Sequence, residues 1–99
     1  MGIDGTYNIV ADTPMGKIES TLILKTDGSS LSGSVHSVKT GTVEFDGGMA
    51  DGNRFEFDVV MKSLLLKLKI HNTGTVDGDN ISGELRTSMG NSTYSGVRV

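Results

Sequence analysis

From Arg54 to His71 the chain reads Arg-Phe-Glu-Phe-Asp-Val-Val-Met-Lys-Ser-Leu-Leu-Leu-Lys-Leu-Lys-Ile-His, its most densely apolar run. Phe55, Phe57, Val59 and Met61 alternate with Arg54, Glu56, Asp58 and Lys62 around them. Leu64, Leu66, Leu68 and Ile70 alternate with Leu65, Lys67, Lys69 and His71. A period of two marks β-strands with one buried face. A turn at Lys62-Ser63 makes the stretch a hairpin. The register then places Val59 opposite Leu66, Phe57 opposite Leu68 and Phe55 opposite Ile70 on the inner side. On the outer side it pairs Asp58 with Lys67 and Glu56 with Lys69. One register delivers both apolar pairs and opposed charges, and a one-residue slip destroys both.

The rest of the chain repeats this pattern in strands of similar length. The first runs from Gly5 to Asp12, with Tyr7, Ile9 and Ala11 on one face. Asp12-Thr13-Pro14-Met15-Gly16 is a turn, because proline presets φ and glycine takes the awkward dihedral. Lys17 to Thr26 places Ile18, Ser20, Leu22 and Leu24 on one face. Asp27-Gly28 signals a hairpin, followed by Ser30 to Ser37 and then by Thr40 to Met49, with Val43 and Phe45 inward. Asp51-Gly52-Asn53 leads into the central hairpin, whose second strand continues to Val76. Ile81, Gly83 and Leu85 mark a seventh strand; Tyr94, Gly96 and Arg98 mark the inward face of an eighth. Helical periodicity is missing throughout. Eight strands joined by short turns form a meander; a two-sided sandwich is the alternative, and a barrel is favoured because closure removes the free edges. The expected fold is therefore all-β: one domain over residues 1–99, an eight-stranded antiparallel up-and-down barrel.

An internal echo orients that barrel. Asp27-Gly-Ser-Ser-Leu-Ser-Gly33 matches Asp77-Gly-Asp-Asn-Ile-Ser-Gly83, and Asp51-Gly52 falls between them. Alternate connections of a meander lie at opposite ends. The Asp-Gly turns therefore share one end with both termini, and the other end carries Met15, Val38, Met61, Leu64, Leu65 and Met89.

Composition narrows the partners. A net charge of −3 leaves no electrostatic footprint for nucleic acid or an anionic membrane. With no cysteine, disulfides, thiolate metal sites and cysteine nucleophiles are excluded. The N-terminal Met-Gly-Ile-Asp-Gly-Thr-Tyr lacks the pattern of a signal peptide, so a cytoplasmic location is expected.

The frame resembles the calycins, that is, the lipocalins, fatty-acid-binding proteins and avidins. Those families open their first strand with Gly-x-Trp and close the last with an Arg packed on that aromatic. Gly5-Thr6-Tyr7 and Arg98 occupy the matching places, with Tyr in place of Trp. The chain also resembles a group of small bacterial barrel proteins and add-on domains of uncharacterised role. That resemblance rests on Thr13-Pro14-Met15-Gly16, Leu31-Ser32-Gly33, Gly74 to Gly83 and Tyr94-Ser95-Gly96-Val97-Arg98. It implies the barrel, and it implies no reaction.

Parity selects the candidate site. Ser20, Ser37, Thr87 and Ser92 point inward near the methionine-rich end, with Thr13 at the rim. Leu22, Phe45, Phe57, Leu66 and Tyr94 form the floor; Met15, Met61, Leu64 and Met89 form the mouth. Neutral hydroxyls over an apolar floor suit a small apolar or weakly polar ligand. The bland reading makes the hydroxyls short fillers of a narrow barrel, bonded to backbone. No Asp, Glu, Lys or His falls on the inward face, which argues against general acid–base catalysis. His36 and His71 fall outward as solvated residues, and no metal or cofactor is expected. Arg98 is expected at the closed end, stacked on Tyr7. Outward Val60, set opposite Leu65, suggests a subunit contact and hence a homo-oligomer. The leading function is small-ligand binding in the lumen. The alternative is a structural or oligomerisation module with a filled barrel, accessory to an enzyme. An enzyme acting by shape and hydroxyl hydrogen bonds stands third.

Overall fold

The computed structural model describes residues 3–13, 16–38, 41–62, 67–88 and 90–99, with 61, 62, 67 and 68 described as backbone. Strands β1 (Gly5–Thr13), β2 (Gly16–Asp27), β3 (Ser30–Ser37), β4 (Gly41–Asp51), β5 (Arg54–Lys62), β6 (Lys67–Asp77), β7 (Asn80–Thr87) and β8 (Gly90–Arg98) follow in chain order. Each pairs antiparallel with the next, and β8 returns to β1 to close the barrel. The eight-stranded meander expected from period-two alternation is the observed fold.

Closure is local work by glycine. Gly33, Gly83 and Gly96 lie on the inward side, and a Cβ there would meet a backbone oxygen at 1.8 Å (Ile23), 2.0 Å (Thr73) and 2.0 Å (Asn8). At those three points the neighbouring strand approaches too closely for any other residue, which lets the sheet bend into a narrow tube. In β4 an extra residue enters between Phe45, opposite Gly33, and Gly48, opposite Leu31. Gly47 absorbs that bulge at φ 72°, and the shift keeps Gly48 and Ala50 on the inner face after Phe45.

The β5–β6 register corrects the sequence expectation. Val59 pairs with Ile70, Phe57 with Asn72, Phe55 with Gly74, and Val60 with Lys69. The connection is thus residues 63–66, not a tight turn at Lys62-Ser63. The shift is even, so every side chain keeps its face and only its partner changes. Space explains the choice: the Phe55 ring occupies room that Gly74 leaves, since a Cβ on Gly74 would sit 2.6 Å from Phe55 Cζ. Opposite Ile70 the same ring would crowd a β-branched side chain. The charges re-pair accordingly. Asp58 meets His71 at 2.6 Å and Lys69 diagonally at 3.8 Å, and Glu56 lies 3.8 Å from His71. The expected Asp58–Lys67 and Glu56–Lys69 pairs do not form in this register. Nor does Val60 face Leu65, which lies outside the described residues; Val60 is 38% exposed beside Lys69. The apolar pair on which self-association rested is therefore replaced by a mixed one.

The core runs through Tyr7, Ile9, Leu22, Leu24, Leu31, Phe45, Phe55, Phe57, Val59, Val76, Ile81 and Tyr94, joined by Ile3 and Ala11. A fully buried aliphatic or aromatic side chain contributes about 1.5–3 kcal/mol relative to exposure. β4 and β5 share only Met49↔Glu56, Ala50↔Phe55 and Asp51↔Arg54. Beyond that short ladder Phe45 and Phe57 bridge the two strands by stacking, ring centroids 3.9 Å apart at 9°.

Candidate functional site

The two ends of the tube differ in how they are filled. At the Asp-Gly end Tyr7 is fully buried, with its hydroxyl donating to the Ile3 carbonyl at 2.7 Å. Arg98 pairs directly with Tyr7 across β1–β8 and donates from Nη2 to the Tyr7 hydroxyl at 2.8 Å. Its guanidinium carbon lies 5.3 Å from the Tyr7 ring centroid, within cation–π range. Asp4 adds a latch, accepting from both the backbone N–H and the hydroxyl of Thr26. Those bonds, the hydroxyl's foremost, hold the Asp4 carboxyl below the ordinary carboxylate range. This end is a plug. Ile3, which no strand pattern flags, completes it.

Toward the other end the inward residues loosen. Ile18, Ser20, Val35, Val43, Ile70, Leu85, Thr87 and Ser92 are all half-buried although their parity points them into the tube. Inward residues in contact with solvent define a mouth. The sequence-selected residues divide here. Leu22, Phe45, Phe57 and Tyr94 are buried in the wall and floor; Ser37 is buried at the mouth end, where Ser20, Thr87 and Ser92 stand half-buried. Met15, Leu64, Leu66 and Met89, and the side chain of Met61, lie outside the described residues.

Their hydroxyls divide as well. Thr87 donates to the Gly90 carbonyl at 3.0 Å, and Thr13 does the same to Gly16 at 2.7 Å, so both hydroxyls close turns. Ser37 is engaged too. Tyr94 donates to the Thr73 carbonyl at 3.1 Å, passing through the space that Gly74 and Gly83 leave open. Burial pushes the Tyr94 phenol well above its ordinary pKa, so it stays a neutral donor. The hydroxyls of Ser20 and Ser92 have no bonding partner among the described residues and remain available.

Sequence reading missed one residue. Asn72 is only 6% exposed and lies on the inner face of β6. An amide N–H donates to the Ile70 carbonyl at 3.2 Å. Its Oδ1 has no donor among the described residues. It is also not sealed in protein, since Arg98 Nε is the sole buried side-chain polar atom left unpaired there. A buried amide oxygen open to the lumen is the clearest polar recognition group of the tube. The signal was present: Asn72 continues the even-numbered inner series of Leu68 and Ile70.

Two grooves of about 620 Å³ each lie on the outer wall, not in the lumen. One crosses Thr73, Thr75, Ser82 and Glu84; the other crosses Ile23, Lys25, Ser32 and Ser34. They sit at corresponding places over Gly83 and Gly33, so the kinked backbone makes both. Among the described residues no three His, Asp or Glu gather to hold a metal ion.

No family model matches the chain, and no curated protein matches it. Solved structures of eight-stranded barrels do. A redesigned β-barrel superposes with a TM-score of 0.76 at 15% identity, over 98% of this chain and 91% of the other. A redesigned β-barrel, mFAP1, bound to DFHBI, gives 0.69 at 13% identity, over 98% and 94%. A de novo designed fluorescence-activating β-barrel gives 0.58 at 18% identity, over 98% and 94%. These likenesses establish the barrel fold.

Proposed function

We propose that the chain is a small-ligand-binding barrel whose site is the half-open end of the lumen. The observation that carries this is the gradient of burial along the inner face. Inward side chains are sealed at the Tyr7–Arg98 end; at the other end most, from Ile18 to Ser92, are half-exposed, with Ala11, Ser37 and Val59 buried among them. A tube plugged at one end and open at the other is a concave, mostly apolar site with a few polar groups, the usual form of a small-molecule pocket. The free hydroxyls of Ser20 and Ser92 and the amide of Asn72 supply those groups. Designed barrels of the same fold support the reading, one of them bound to DFHBI. Among the described residues the inner wall of the mouth carries no ionised side chain, so the ligand is uncharged: a bare charge there would be buried without a partner.

The test is titration with N-phenylnaphthylamine, a neutral dye whose emission rises in apolar surroundings. Saturable enhancement with one dye per chain is expected, and Leu85→Trp, which fills the mouth, abolishes it. Enhancement that is absent, or that survives Leu85→Trp undiminished, points to a filled barrel acting as an interaction module.

A further inference from the structure

We infer that the inner row Phe57–Asn72–Leu85–Ser92 recognises a flat, uncharged aromatic molecule that donates a hydrogen bond; this rests on the lumenal reading above. The row is continuous in the sheet. Phe57 pairs with Asn72, Asn72 with Leu85, and Leu85 with Ser92, across β5 to β8. Neighbouring strands lie about 4.8 Å apart, so a two-ring molecule covers Phe57, Asn72 and Leu85 together.

The donor requirement comes from Asn72. Its amide nitrogen already bonds the Ile70 carbonyl, whereas its oxygen bonds nothing among the described residues. The residue is more than nine-tenths buried, yet its oxygen is not sealed in protein and has no protein donor among the described residues, so it is open to a ligand O–H or N–H in place of water. Tyr94 does not compete for the role, because its hydroxyl is held by Thr73. A ligand able only to accept would leave the Asn72 oxygen unmet and shut away from water.

The planar requirement comes from the rings beside it. Phe57 stacks on Phe45 at 3.9 Å and 9°, and lies 6.0 Å and 14° from Phe55. Three rings thus share nearly one orientation, fixed on three inward positions of β4 and β5. These rings are nearly fully buried, so a flat ring in the same orientation meets the edge of the set and displaces its packing least. A puckered ring of equal size makes poorer contact with a set of parallel planes. Leu85, half-exposed on the far side of Asn72, offers the aliphatic contact for the second ring.

Three probes separate the parts of this inference by calorimetry on the full chain: naphthol, methoxynaphthalene, which has the rings without the donor, and decahydronaphthol, which has the donor without the flat rings. Naphthol is expected to bind about two- to tenfold more tightly than methoxynaphthalene, the range of one net hydrogen bond. That preference disappears in Asn72→Leu, and in the unmodified protein the Asn72 side-chain amide resonances shift more with the two donor-bearing probes than with methoxynaphthalene. Naphthol also binds more tightly than decahydronaphthol. Equal binding of naphthol and methoxynaphthalene within the lumen overturns the donor assignment and leaves the lumenal reading intact. Equal binding of naphthol and decahydronaphthol overturns the planar assignment in the same way. Binding of none of the three overturns both readings together.

Discussion

The β2–β3 and β6–β7 hairpins are built on one plan and finished differently. Each turns on Asp-Gly with the glycine at φ 63°, buries the first apolar residue after the turn (Leu31, Ile81), and then kinks at an inward glycine (Gly33, Gly83). Ahead of the turn they part. β2 places Leu22 and Leu24 inward, each 1% exposed; β6 places Asn72 and Gly74 at the corresponding positions. In the first hairpin Leu24 pairs with Gly33, so the glycine is faced by a large side chain. In the second, Gly74 pairs with Gly83, and Phe55 and Tyr94 reach in from neighbouring strands to fill the space. Turn and kink are therefore shared framework. The exchange of packed leucine for an amide with an open oxygen is where the second hairpin departs from what folding alone asks for, and departures of that kind mark sites.

The framework half of that comparison breaks most violently. Gly33→Ala and Gly83→Ala each drive a Cβ to within 2.0 Å of a backbone oxygen. Both are expected to cost more than about 3 kcal/mol, because backbone cannot step aside as a side-chain tip can. Denaturant melts of the two variants check it. A mild effect at one glycine and a severe one at the other would show that the hairpins do not share their kink.

The exchange itself sharpens the comparison next. Leu22→Asn places an amide where the wall is packed and is expected to cost about 2–3 kcal/mol, from lost burial plus an unmet polar group. Asn72→Leu makes the reverse change and is expected to leave stability unchanged or raise it by about 1 kcal/mol, since apolar burial is gained and only the single amide bond to Ile70 is lost. Thermal melts of the pair decide between a structural and a recognition role for Asn72. Equal losses for both variants would mean that Asn72 is as structural as Leu22.

Arg98→Ala, at the plug, is expected to cost about 1–2 kcal/mol through the lost bond to Tyr7 and the lost packing of its stem against Gly5. Dye binding at the mouth should be unaffected by it. A melt that does not move, or a loss of dye binding without a loss of stability, would relocate the role of Arg98 from plug to site.

Much of the fold is legible in the sequence because the strand period is two and the turns are chemically marked. Tyr7 through Ala11, and Phe55 through Val59, announce their buried faces by alternation alone. The register of β5–β6 is not legible in the same way. A shift by an even number keeps every face, so the alternation that reveals the strands is blind to which partner each residue meets. What selects Phe55 opposite Gly74 is the volume of a ring against an empty position, a contact between residues far apart in the chain. The candidate site follows the same divide. Ser20 and Ser92 are found by parity, but parity says nothing of whether a hydroxyl is free. Thr87 spends its hydroxyl on Gly90, and Tyr94 on Thr73, through bonds that only the folded strands bring together. Asn72 is legible by position, as the next even-numbered residue after an aliphatic series, whereas the open oxygen of its amide is visible only in the fold.

The smallest expected effect lies at the Asp4 latch, and it sharpens the contrast between plug and mouth by its pH dependence. Thr26 bonds the ionised carboxyl, so the folded-state pKa of Asp4 lies below its unfolded value. The sign follows from linkage. The latch contributes in full at pH values above the unfolded carboxylate pKa and is lost as pH falls through the lower, folded pKa, where the carboxyl takes up a proton. Melting temperatures of the unmodified chain and of Asp4→Asn should therefore differ slightly near neutrality and converge as the solution is acidified. The group is exposed, so solvent screening keeps the difference small. Dye binding at the mouth should not follow the same convergence, because no titrating carboxylate is placed on the inner wall there. A binding curve that weakens in step with protonation of Asp4 would show that the plug and the mouth are coupled along the strands, and that the two ends of the tube are one cooperative unit.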